Sequence, residues 1–111
     1  FGCRTTTWAM RGGTLCDVIV NCTPVGMHPE VDHSPVPPSG FKPGMVAFDT
    51  VYHPESTMFL KLAQEHSCTI VSGVDMFVGQ AALQFQYYTG QPAPLDVMRA
   101  AVKRKLSPIQ E

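Results

Sequence analysis

Charge is scarce in this chain of 111 residues. Asp, Glu, Lys and Arg make up 15% of it, against roughly a quarter in ordinary globular domains, and the net charge is −1. There is no basic field to hold nucleic acid. Lys103, Arg104 and Lys105 form the one basic cluster and close a predicted helix, where cations favour the negative end of the dipole. No apolar run is long enough to span a bilayer, and no secretory pattern leads the sequence. Cys3, Cys16, Cys22 and Cys68 contain no Cys-x-x-Cys pair, which predicts free thiols acting as small hydrophobes in a reducing cytosol. His28, His33, His53 and His66 fit no zinc spacing, so no metal is expected. A G-x-G-x-x-G loop is also missing.

What remains is 44% hydrophobic, enough for one globular core with apolar surface to spare, as expected of a piece of a larger protein. Phe1 to Trp8, rich in Thr, reads as a short strand, and Ala9 to Leu15 as a connection. Asp17 to Cys22 is a continuous apolar run, the pattern of a strand buried on both faces of a parallel sheet. Between Thr23 and Gly44 lie Pro24, Pro29, Pro35, Pro37, Pro38 and Pro43, which exclude a long helix. Met45 to Tyr52 is the next strand. Glu55 to His66 reads as a helix with Phe59, Leu62, Ala63 and His66 on one face and Glu55 at its positive end. A strand at Thr69-Ile70-Val71 stops at Gly73. Ser72 and Asp75 form a capping box for a helix running to Thr89, with Gly90 ending it. Pro94 opens a last helix and Ser107-Pro108 closes it. The fold class is therefore α/β, a parallel sheet with flanking helices and two closing C-terminal helices.

In such sheets ligands bind beyond the carboxyl ends of the strands. The first exit, Asn21-Cys22-Thr23-Pro24-Val25-Gly26-Met27, offers short polar groups and a glycine. The second, Asp49-Thr50-Val51-Tyr52-His53-Pro54, offers a phenol. The third leads through Gly73 into a helix whose Gln80, Gln84 and Tyr87 share one face, while Phe77, Ala81, Phe85 and Tyr88 form an apolar stripe. Gln80 and Gln84 suit a grip on a polyhydroxylated molecule, and equally a solvated helix face; periodicity does not decide.

These two exit segments and Gly73-Val74-Asp75-Met76-Phe77-Val78-Gly79-Gln80-Ala81-Ala82, in this order, resemble the C-terminal part of shikimate dehydrogenase, in the version also found fused to dehydroquinate dehydratase. The resemblance covers essentially all of the chain after Asp17. It implies a partial Rossmann-like fold and NADP-dependent reduction of 3-dehydroshikimate to shikimate. It also implies substrate binding by Gln80 and Tyr52, and cofactor contacts at Thr50, Gly73 and Thr23. Residues 1–73 would be the second half of the NADP-binding domain. Residues 74–111 would be helices packing toward a catalytic domain that holds the family's Lys and Asp, which have no counterpart here. No Asn-Arg-Thr-like motif for the 2′-phosphate of NADP follows a strand, and Arg4-Thr5-Thr6 lacks that setting. The chain alone is thus expected to be inactive, with no catalytic residue of its own. It is also expected to self-associate through an open sheet edge or through Phe77, Phe85 or Tyr88. A quinate/shikimate dehydrogenase, or a noncatalytic α/β module binding a small molecule or a protein, remains open.

Overall fold

The computed structural model describes residues 1–107. Three parallel strands, β1 (Val18–Asn21), β2 (Val46–Asp49) and β3 (Thr69–Val71), form a sheet in the order β1-β2-β3. Asn21 lies beside Asp49 and Phe48 beside Val71, so all three strands end at one edge. Helix α1 (Met58–Glu65) links β2 to β3 and packs on both. Helices α2 (Gly73–Thr89) and α3 (Leu95–Leu106) follow and pack on each other. The expected parallel α/β arrangement with two closing helices is present.

The core lies between the sheet and α1. Ala47 of β2 and Phe59, Leu60 and Ala63 of α1 meet Val36 and Phe41, which the proline-rich segment supplies. Phe41 meets Phe59 edge to face at 5.3 Å. The segment between β1 and β2 is therefore an anchored loop, with one 3₁₀ turn at Pro38–Gly40.

Several expectations are corrected. Phe1 to Trp8 forms no strand. Residues 1–10 are exposed and find no neighbouring strand to take their backbone bonds, and a 3₁₀ turn occupies Trp8–Gly13 instead. Arg11 pins that turn, its guanidinium 4.0 Å above the Trp8 ring and bonded to the Pro35 carbonyl. Strand β1 is not buried on both faces: Ile19 packs on the core, while Val18 and Val20, on the opposite face, are 55% and 43% exposed. Cys3 and Cys22 are exposed rather than packed.

Helix α1 begins three residues after Glu55. Thr57 caps it, its hydroxyl accepting from the Leu60 N–H at 3.2 Å. Glu55 instead pairs with Lys103 of α3 at 3.4 Å. In α2 the deepest stripe is Val74, Val78 and Ala82, at i, i+4 and i+8. Phe77, Ala81 and Phe85 are half-buried beside it, and Tyr88 is 82% exposed, in a T-shaped pair with Tyr87. The capping box of Ser72 and Asp75 is formed, and Gly90 ends α2 in the left-handed conformation, φ 67°. Pro94 stands just before α3, and Pro108 lies outside the described residues.

Candidate functional site at the strand exits

The first two exit turns are built by side chains bonding to nearby backbone. After β1, Asn21 Oδ1 accepts from the Thr23 N–H at 3.0 Å and from the Thr23 hydroxyl at 2.7 Å. The Thr23 oxygen in turn accepts from the Val25 N–H at 3.2 Å. After β2, Asp49 Oδ1 accepts from the Val51 N–H at 2.9 Å. The two turns are tied together. Thr50 donates twice to the Asn21 carbonyl, from its N–H at 3.1 Å and its hydroxyl at 2.8 Å. Farther out, the His28 N–H donates to the His53 carbonyl at 3.0 Å, and the two imidazoles stack with centroids 5.0 Å apart.

The third exit is fixed by absence of a side chain. A Cβ on Gly73 would lie 2.2 Å from the Val51 carbonyl oxygen and 2.9 Å from the Tyr52 nitrogen. Only glycine lets the first turn of α2 rest on the backbone leaving β2. Tyr52 packs on Phe77 of α2, ring centroids 5.0 Å apart. Gly73, Phe77, Gln80 and Gln84 follow one another at helical spacing. Tyr52 rests on Phe77 from the exit of β2, Gln80 comes three residues after Phe77 on α2, and both are exposed.

The structure thus brings Thr23, Thr50, Tyr52 and Gly73 to one rim, with Gln80 one helical turn past Phe77. Thr23 and Thr50 commit their hydroxyl hydrogens to Asn21, so each shapes a turn rather than presenting a free donor. The rim side chains are neutral and polar, suited to hydroxyl and amide groups of a ligand. Among the described residues no three His, Cys, Asp or Glu side chains converge as a metal set, and no helix is long and apolar enough to cross a membrane.

Sequence reasoning gave Asp49 and Thr57 no role and missed Phe77 as the rest for Tyr52. The available signal was a lone acid ending an apolar strand. Burial pushes the Asp49 carboxyl up from its ordinary range, against hydrogen bonds from Thr57, Val51 and Asn21. Asp75 moves the other way. The Arg99 guanidinium of α3, helped by the bonds to Ser72, holds it below the usual carboxylate value. Its folded-state pKa is depressed, so its contribution is present above the ordinary value of 3.8 and is lost as pH falls through the lower folded value. Arg99→Gln is expected to shift that acid loss of helicity to higher pH, seen by circular dichroism across an acid titration. An unmoved midpoint would dissociate Asp75 from the α2–α3 contact.

Residues 73–103 match the family model described as Shikimate 5'-dehydrogenase C-terminal domain. The chain is 39% identical over 90 residues to "Shikimate dehydrogenase (NADP(+))" of Moorella thermoacetica, covering 81% of this chain and 30% of that protein. Its fold overlays shikimate 5-dehydrogenase of Thermus thermophilus, solved with NADP(H) and shikimate, with TM-score 0.79 and 30% identity, covering 93% of this chain and 38% of that one. By sequence and by fold, the chain corresponds to the C-terminal part of shikimate dehydrogenases. Quinate dehydrogenase of Corynebacterium glutamicum, solved with NAD, also overlays, with TM-score 0.73 and 31% identity over 79% of this chain and 31% of that one. The chain spans about a third of the length of the relatives it matches. Its three parallel strands and flanking helices form a Rossmann-like portion, as the sequence led one to expect.

Proposed function

We propose that this chain supplies the cofactor-side rim of an NADP-dependent shikimate dehydrogenase, which interconverts 3-dehydroshikimate and shikimate. The observation that carries the proposal is the convergence of three strand exits, with Gly73 seated on the Val51 carbonyl and Tyr52 packed on Phe77 of α2. Residues 1–73 act as the second half of the cofactor domain, and α2 and α3 as the helices that lead from it.

Tyr52 and Gln80 orient the substrate by hydrogen bonds, the phenol and the amide each bonding a hydroxyl or carboxylate oxygen. Thr23, Thr50 and Gly73 border the cofactor, at its nicotinamide end. The neutral rim fits that end of NADP and offers no cation for the 2′-phosphate, which must be held by residues other than these. NADPH, when bound, supplies the hydride. The chain's own residues contribute alignment of the two reacting partners, a large part of the barrier reduction in such reactions. Proton transfer is assigned to no residue of this chain.

The deciding experiment gives shikimate and NADP to the full-length protein and follows NADPH absorbance. Shikimate-dependent reduction of NADP is expected. A clear preference for quinate with NAD would favour the quinate dehydrogenase reading, which the Corynebacterium structure keeps in view. Inactivity with both pairs would leave a noncatalytic binding module.

A further inference from the structure

The mechanism just described makes no use of Asp49, yet Asp49 is wholly buried at the end of the central strand. Burying a carboxylate is unfavourable unless it is well partnered. Asp49 has three partners, from three segments. The Thr57 hydroxyl donates to Oδ2 at 2.6 Å. Asn21 Nδ2 donates to Oδ1 at 3.0 Å, and the Val51 N–H donates to the same oxygen at 2.9 Å.

Each partner passes the constraint outward. Asn21 holds the Thr23 turn through Oδ1 and reaches the Val25 carbonyl through Nδ2 at 3.2 Å. Val51 stands between Thr50 and Tyr52, and its carbonyl is the seat of Gly73. Thr57 caps α1. Among the described residues no buried side-chain nitrogen or oxygen lacks a partner, so the network has no slack.

We propose that Asp49 is a positioning residue: one buried carboxylate sets the spacing between the Thr23 turn, the Thr50–Tyr52 segment and the seat of Gly73. Its kinetic consequence rests on the dehydrogenase reading; the network itself does not. An ionised carboxylate is acceptor-only and meets three donors here. An amide must turn its NH₂ toward Thr57, since the other side already faces two donors. The Thr57 hydroxyl then loses its acceptor.

The test compares Asp49→Asn, Thr57→Val and Thr57→Ser in the full-length protein. Thr57→Val also uncaps α1 and lowers stability, whereas Asp49→Asn leaves the cap in place and separates the two effects. Both variants are expected to lower kcat for shikimate oxidation by roughly tenfold or more, through misalignment, with the KM for NADP within about twofold. Thr57→Ser, which keeps the hydroxyl, is expected to restore kcat to within about twofold of wild type. The double variant Asp49→Asn/Thr57→Val should be no slower than the slower single, since both cut one link. If kcat holds in both single variants while only the melting temperature falls, the role is merely structural and the proposal is overturned.

Should the wild-type protein oxidise no shikimate, the dehydrogenase reading fails on its own, and hydrogen exchange decides the inference. The Thr23 and Val51 amides are then expected to exchange faster together in Asp49→Asn. Unchanged Thr23 protection would show that Asp49 does not govern the β1 turn.

Discussion

Gly73→Ala is expected to lift the first turn of α2 off the exit of β2. The added methyl would sit 2.2 Å from the Val51 carbonyl oxygen, and the obstacle is backbone, not the end of a movable side chain. Overpacking of this kind costs about 1–3 kcal/mol, and more where neither side can yield. The midpoint of urea unfolding should fall accordingly. The larger effect is kinetic. Displacing α2 moves Phe77, the rest for Tyr52, and carries Gln80 with it, so kcat/KM for shikimate should fall by roughly a hundredfold. Gly79→Ala in the same helix is the control. A Cβ there meets nothing within 4 Å, so alanine should leave stability unchanged or raise it by up to about 1 kcal/mol through helix propensity. Equal behaviour of the two variants would show that the seat on Val51 is not what fixes α2.

Gln80→Ala separates binding from folding. Gln80 is exposed on α2 and has no part in the buried stripe of Val74, Val78 and Ala82, so the melting temperature should barely move. Removing a hydrogen bond to a bound, desolvated substrate costs about 1–3 kcal/mol, which corresponds to a rise in KM for shikimate of roughly five- to 150-fold. A fall in kcat is expected beside it, because the same bond aligns the ring. Gln84→Ala, one turn farther on, should have a smaller effect. Kinetics unchanged by Gln80→Ala would remove that side chain from the site.

Much of the fold was legible because its signals are local. The alternation of apolar runs with helical periods identifies β1, β2, β3 and the three α-helices from residues close in the chain. Ser72, Asp75 and Gly90 mark the ends of α2 through bonds that span one turn. The misreadings share a cause. A Thr-rich segment such as Phe1 to Trp8 has strand propensity, but a strand exists only if a neighbour takes its backbone bonds, and none does. Val18 and Val20 look like core residues by hydropathy, and only the tertiary packing, which puts Ile19 on the core side, leaves them exposed on the other face.

The amino-acid order alone determined that the polar exit turns exist, and that Gln80 and Gln84 share one face of α2 beside the apolar stripe of Phe77, Ala81 and Phe85, because turn chemistry and helical spacing are properties of neighbours in sequence. Only the tertiary structure decided that three exits meet at one rim. Asn21, Asp49 and Thr57 are distant in sequence, and a buried carboxylate choosing its donors is a matter of space, not of spacing along the chain. The same holds for the glycine that had to be there: Gly73 reads as an ordinary turn residue until the carbonyl of Val51 is found where its side chain would have been.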